Sequence, residues 1–386
     1  MILLEKFLNS KPLYYDVIDL SRMPKAYEYI KPHIKLGKVI HLVGTNGKGS
    51  IGRILSSLLL SKGVSVGHYT SPHILKFNER IWINGRDIDD ERLEQAHKRV
   101  FSLLPENVAN SLSYFEYTTL LALAAFERCD YIVLEAGLGG EFDATNVVEK
   151  DLSIIVPIGK DHQQFLGDSL EEIAATKLRS IDKKALLAPN QPDIVLEVAK
   201  RIAIERGCEI YRTEDILNSN ERDEIYESLE TKGWADYLKY NALTAVAAMK
   251  LLGFDDFGTL PERVELRGRF EKIATNIILD VGHNELAASA IVKALKGKKV
   301  VLVYNTLEDK DAKTILSILS PVIKRVEIIS IQTQRQMAID RLKSIVEELN
   351  IPYCDFKSIN EEEEFLVFGS FYTAEAFLKA KSNEVN

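Results

Sequence analysis

One turn of the chain, Gly44-Thr45-Asn46-Gly47-Lys48-Gly49-Ser50, combines three glycines with a lysine and a closing serine. Glycines let successive backbone N–H groups converge on an anion. A lysine adds a mobile positive charge for terminal phosphates, and a serine hydroxyl adds an oxygen for Mg²⁺. The spacing departs from the common phosphate-loop pattern G-x-x-x-x-G-K-[ST]. Leu42 holds the first glycine position, and Gly49 separates the lysine from the serine. A bare G-x-x-G-K turn also occurs as a purely structural loop, so the flanking elements decide. The apolar run Val39 to Val43 reads as a buried strand. Ile51, Ile54, Leu55, Leu58 and Leu59 recur at helical spacing behind the turn. Strand, glycine turn and helix N-terminus together make an anion site.

Other chemistry-bearing residues stand at the joints of a strand–helix alternation. Glu135 closes the short apolar strand Tyr131 to Ala136. In open α/β sheets ligands sit beyond the carboxyl ends of strands, and a lone buried carboxylate there is costly without a cation. His162 follows the strand Leu152 to Ile158 and reads, alone, as a capped loop residue. Ser169 and Glu172 form a capping box that opens a helix carrying Lys177. Ser71-Pro72-His73 is a polar loop after the strand Val64 to Tyr69, and Asn84-Gly85 signals a hairpin. Phe115 and Glu116 begin a helix, where core and cap are their ordinary roles. Asn241, in the small-residue helix Tyr240 to Met249, has helix capping as its ordinary role.

The elements that must position these residues are too many for one core. The chain has 386 residues, which favours two domains. Its net charge of -8, without a lysine/arginine block, argues against a nucleic-acid partner. Cys129, Cys208 and Cys354 are scattered, so neither a disulfide framework nor a zinc site is expected, and a reducing cytoplasm fits. Met1-Ile-Leu-Leu-Glu-Lys carries charge too early for a secretory leader, and no apolar run is long enough to span a membrane. Asn218 to Glu224 reads as linker and Glu361 to Glu364 as a solvated helix face. The segment after Arg267 alternates strand and helix without G-x-G-x-x-G, which argues against a dinucleotide.

Several ordered strings resemble the folylpolyglutamate synthase/dihydrofolate synthase branch of the Mur ligase superfamily. The nucleotide turn is similar to that family's G-T-N-G-K-G-S. Tyr69-Thr-Ser-Pro-His-Ile-Leu-Lys-Phe-Asn-Glu-Arg-Ile81 resembles Y-T-S-P-H-L-x-x-F-N-E-R-I, and Phe115-Glu116 sit in a string like F-F-E-x-T-T. Glu135 to Asn146 resembles E-x-G-L-G-G-x-x-D-A-T-N, with Glu141 where arginine is usual. Asp161-His162 matches D-H-x-x-x-L-G. Lys177 matches I-A-x-E-K-A-G-I, with Leu178-Arg179 in place of Ala-Gly. Arg267-Gly-Arg-Phe-Glu271 resembles P-G-R-x-E. Asp280 to Glu285 resembles D-G-A-H-N-P, with Val281-Gly282 for Gly-Ala and Glu285 for proline. Asp309-Lys-Asp311 and Gly369-Ser-Phe-Tyr372 resemble D-K-D and G-S-L-Y. Only 43 residues precede Gly44, too few for the UDP-sugar domain of cell-wall ligases, which also favours the folate branch.

The resemblance implies an α/β fold: a P-loop-containing Mur-ligase-type ATPase domain over 1–266 and a smaller Rossmann-like domain over 267–386. It implies ATP held by Thr45, Asn46, Gly47, Lys48, Gly49, Ser50, Asn241, Arg269 and Asp280. Mg²⁺, as two ions, would sit on Ser50, Glu135, His162 and a carbamylated Lys177. Ser71, His73, Phe115 and Glu116 would contact the folate, where an aromatic ring beside a carboxylate suits a pterin. Asn78, Glu79 and Arg80 read equally well as structural ties. Lys48, Lys177, Arg269 and His283 would serve the chemistry. The implied reaction joins L-glutamate to dihydropteroate or a reduced folate through an acyl phosphate, in a cytoplasmic monomer. A P-loop small-molecule kinase and a non-enzymatic nucleotide switch are the alternatives.

Overall fold

The structure, a computed structural model, describes residues 3–12, 19–161, 163–230, 233–255 and 264–384. The chain divides into two compact units. One contains residues 1–232 and 238–264; the other contains 233–237 and 265–386.

The N-terminal unit is built on an eight-stranded sheet of β1 (Lys38–Val43), β2 (Val66–Tyr69), β3 (Ile81–Ile83), β4 (Arg86–Asp87), β5 (Tyr131–Glu135), β6 (Leu152–Ile155), β7 (Lys184–Leu187) and β8 (Glu209–Arg212). The order is β4-β3-β2-β5-β1-β6-β7-β8, and every pair from β2 to β8 is parallel. β1 is central because it reads Lys-Val-Ile-His-Leu-Val, apolar on both faces, as a parallel strand covered on both sides must be. The β3–β4 hairpin turns at Asn84-Gly85, both with positive φ, as the sequence predicts. Four helices carry candidate residues beside this sheet: α1 (Lys48–Ser61), α2 (Tyr114–Ala125), α3 (Leu170–Leu178) and α4 (Asp236–Leu251); α5 (Glu285–Leu295) belongs to the other unit. The register of β1 with β5 sets Leu42 beside Glu135, so the ends of both strands meet where the glycine turn begins.

The C-terminal unit holds a six-stranded sheet: β9 (Glu271–Ala274), β10 (Ile277–Leu279), β11 (Val300–Tyr304), β12 (Ile323–Ile328), β13 (Tyr353–Asp355) and β14 (Phe365–Phe368). Its order is β13-β12-β11-β14-β10-β9, parallel except for β9. β11, β14 and their covering helices bury Leu302, Tyr304, Leu366, Phe368, Ile315 and Leu316 in one core.

Two sequence expectations are corrected. Residues 218–224 are not linker: Ser219–Glu230 is a helix, seated by Ile225 and Leu229, which are buried within a polar stretch. Residues 361–364 form a turn rather than a helix face, and Glu363 and Glu364 pair with Arg325 and Lys298 of neighbouring strands and loops. Among the described residues, no helix is long and apolar enough to cross a membrane.

Candidate functional site

The glycine turn opens where β1 ends. Gly44 has φ +146, and a Cβ there would lie 2.3 Å from Val156 Cγ2 and 2.5 Å from the Val156 carbonyl oxygen, so the turn requires glycine. The Thr45 and Asn46 N–H groups donate to the Pro157 carbonyl at 3.0 and 3.4 Å, and Thr45 Oγ1 exchanges hydrogen bonds with Gly159. These ties lean the turn on the segment after β6. α1 then starts at Lys48, and its first intrahelical bond runs from Ile51 N to Gly47 O. The N–H groups of Lys48, Gly49 and Ser50 are therefore presented at a helix N-terminus, with its partial positive charge.

Two lysine side chains meet at one carbonyl of this turn. Lys48 Nζ donates to Gly44 O at 3.3 Å and to Thr45 O at 3.1 Å. Lys177 Nζ, brought by α3, donates to Gly44 O at 3.1 Å. Burial, and then the charge of Lys48, pushes the Lys177 amine down to about 7.

Ser50 is 1% exposed and its Oγ has no partner among the described residues. The buried Nδ2 of Asn241 likewise has none, while its Oδ1 stands 3.0 Å from where Gly47 would carry a Cβ. An unmet buried hydroxyl and amide beside a helix N-terminus fit a nucleotide with its metal ion. Asn241 lies inside α4, five residues past its start, so the capping reading of this residue is set aside.

Glu135 is buried at the end of β5. Its Oε2 accepts from the Thr70 hydroxyl and, at 3.3 Å, from Ser71 N. Thr70 escaped the sequence reading because its partner is set by strand pairing 65 residues away. With Ser50, Glu135 supplies hard oxygen donors that suit Mg²⁺. His162 lies outside the described residues.

The expected substrate residues lie on the loop behind β2 and on α2. His73 accepts at Nδ1 from Arg80 Nε at 2.9 Å, so a neutral His73 carries its proton on Nε2. Arg80 is buried and lies over the Tyr114 ring. Glu79 accepts from the N–H groups of Ile74, Leu75 and Lys76, and Asn78 donates to Ile88 O and Asp90, so all three residues act as ties. Phe115 stacks on Tyr69 with centroids 5.9 Å apart. Glu116 completes a capping box with Ser113 and approaches Arg22 at 3.5 Å. Two departures from the family pattern face each other: Arg179 Nη1 lies 3.3 Å from Glu141 Oε2.

In the C-terminal unit, the turn bearing Arg269 precedes β9, and Asp280 to Asn284 follows β10. The Arg269 guanidinium lies over the Phe371 ring at 5.3 Å. Asp280 is 5% exposed and accepts from Tyr237 OH, Phe270 N and Gly282 N. His283 Nδ1 is 3.1 Å from Val281 O. Asn284 caps α5, its side chain accepting from Ala287 N, and Glu285 sits in the first turn, where a negative charge is favoured.

No protein-family profile matches the chain. It is 34% identical to the dihydrofolate synthase/folylpolyglutamate synthase of Haemophilus influenzae, over 93% of this chain and 92% of that one. The crystal structure of Helicobacter pylori folylpolyglutamate synthetase superposes with a TM-score of 0.80 at 38% identity, covering 98% of each chain. A bifunctional folylpolyglutamate synthase/dihydrofolate synthase, solved with Mn, AMPPNP and L-glutamate bound, superposes with a TM-score of 0.82 at 26% identity over 99% of this chain and 98% of that one. With a glycine turn of this form, a strand-end glutamate beside it and likeness over nearly the whole chain, the protein belongs to the dihydrofolate synthase/folylpolyglutamate synthase family.

Proposed function

We propose that the protein is an ATP-dependent ligase that joins L-glutamate to dihydropteroate, to reduced (poly)glutamyl folates, or to both, releasing ADP and phosphate. The observation that carries this reading is the pair of buried, unpartnered polar atoms at the glycine turn, Ser50 Oγ and Asn241 Nδ2. ATP supplies the phosphoryl group that turns a substrate carboxylate into an acyl phosphate, and Mg²⁺ lowers the charge cost of that transfer.

Ser50 and Glu135 would hold the metal, with His162 joining them by family resemblance. Lys177 would stand at a second ion once carbamylated. Its amine, pushed down to about 7, is substantially uncharged near neutral pH, the form that can bond to CO₂ with loss of a proton. Lys48 and the α1 N-terminus, with Thr45, Asn46, Gly47 and Gly49, bind the phosphates, and Asn241 meets the base. Asp280 ties the turns that carry Arg269 and His283, and by family resemblance those two residues would serve the phosphates and the incoming amine. Phe115 stacks on the pterin beside Glu116, while Ser71 and His73 orient the substrate. Exclusion of water protects the acyl phosphate from hydrolysis. The protein would act as a cytoplasmic monomer on small molecules alone.

Phosphate release from ATP with Mg²⁺ and L-glutamate tests this, with dihydropteroate and tetrahydrofolate in separate reactions. Release in both identifies a bifunctional ligase, and release in one identifies its acceptor. ATP binding without release in either, or release that ignores glutamate, would sink the proposal.

A further inference from the structure

Asp280 looks, by its place after β10, like a ligand contact, yet its carboxylate is already occupied by the protein. Oδ2 accepts from Phe270 N at 2.8 Å and from the Tyr237 hydroxyl at 2.8 Å. Oδ1 accepts from Gly282 N at 2.7 Å. Phe270 follows Arg269, and Gly282 precedes His283. One buried carboxylate therefore pins the two turns that present the arginine and the histidine.

The arginine turn depends on such pinning. Phe270 has φ +48, a left-handed conformation that a bulky side chain resists. Its neighbours are tied as well: Val281 N donates to Gly268 O at 3.0 Å, and Gly268 N donates to Glu271 Oε2 at 2.7 Å. Tyr237 comes from the short segment 233–237 that groups with this unit, and its hydroxyl is the side-chain donor to the carboxylate among the described residues.

We propose that Tyr237 is a positioning residue for the ligase reaction: its hydroxyl holds Asp280 in the geometry that fixes the Arg269 and His283 turns. A carboxylate that keeps both oxygens as acceptors can satisfy both backbone N–H groups. A protonated one would turn an oxygen into a donor and release one turn. Burial pushes the Asp280 carboxyl up, and Arg269, the Tyr237 hydroxyl and the two N–H groups act against that. Arg269 and Tyr237 are the charged and titratable groups that face it, with Glu271 and His283 on the adjoining turns.

The inference rests on the roles given above to Arg269 and His283. Its test compares Tyr237→Phe, Arg269→Ala and the double variant in the full-length protein, with melting temperature as the folding control. Tyr237→Phe removes one hydroxyl without changing shape. It is expected to lower kcat about 10-fold, the range of a lost hydrogen bond to a charged group, and to leave the KM for the folate substrate within about 2-fold. The acid limb of its kcat profile should move to higher pH, because the carboxyl has lost a donor that held it ionised. The double variant should lose less than the product of the two single losses, because part of the hydroxyl's effect passes through Arg269. A folded Tyr237→Phe with wild-type kcat and an unmoved acid limb, beside a crippled Arg269→Ala, would overturn the proposal. Wild-type turnover by Arg269→Ala would instead remove the reading on which it stands.

Discussion

His41 shows how far one buried residue can be argued. Thr145 Oγ1 donates to Asp143 Oδ1 at 2.5 Å, so that hydroxyl must accept from His41 Nε2 at 2.7 Å. The imidazole thus carries a proton on Nε2, and its buried Nδ1 has no partner among the described residues. Burial, and then the charge of Lys150, pushes its pKa down to about 3. An unfolded histidine titrates near 6.5. Between those values the unfolded chain takes up a proton that the folded protein refuses, so stability is lost as pH falls from about 6.5 toward 3. The loss should be on the order of 3–5 kcal/mol for this group. Denaturant melts of the wild type and His41→Gln between pH 7.5 and 4 should diverge in that direction, and parallel pH curves would refute the assignment. Residue types in the glycine turn announce their chemistry because phosphate binding uses a short, contiguous set of groups. Thr70 and Tyr237 do not, because their partners, Glu135 and Asp280, lie 65 and 43 residues away and are chosen by tertiary pairing.

Among the elements, the loop after β5 is where packing bears on Phe115, the ring proposed to stack on the pterin. Gly137 lies under the Phe115 ring: a Cβ there would come within 2.6 Å of Cζ and 2.9 Å of Cε1. Tyr69 stacks on the same ring, so Phe115 has little room to yield. Gly137→Ala should cost about 1–3 kcal/mol of stability, as overpacking does. It should raise the KM for the folate substrate about 10-fold while the KM for ATP stays within about 2-fold. Equal changes in both constants would show that Phe115 is core and nothing more. The principal strands and helices were legible from periodicity and caps: Asp89, Ser113 and Ser169 each cap the helix that their sequence announces. β9 and β13 were not, because short edge strands carry too few buried positions to show an alternation. The helix Ser219–Glu230 was hidden for a similar reason, with two buried residues in twelve.

For the whole molecule, the nucleotide site should report on the fold that holds it. A non-hydrolysable ATP analogue with Mg²⁺ at about 100 times its Kd should stabilise the protein by about 2.7 kcal/mol. Removing the metal with a chelator should cancel most of the rise in melting temperature. A rise indifferent to chelation would argue against Ser50 and Glu135 as metal oxygens. A two-domain division was legible from length. That residues 233–237 group with the C-terminal unit while 238–264 return to the N-terminal one was not, because local sequence carries no mark of it. This interleaving has a consequence for how the protein is made. Every residue of the N-terminal unit has been synthesised by position 264, so that unit can close around its glycine turn while the rest of the chain is still being translated. Tyr237 leaves the ribosome 43 residues ahead of Asp280. Its hydroxyl cannot make this bond until Asp280 has been synthesised, and formation of the bond therefore marks a late step in the maturation of the nascent chain.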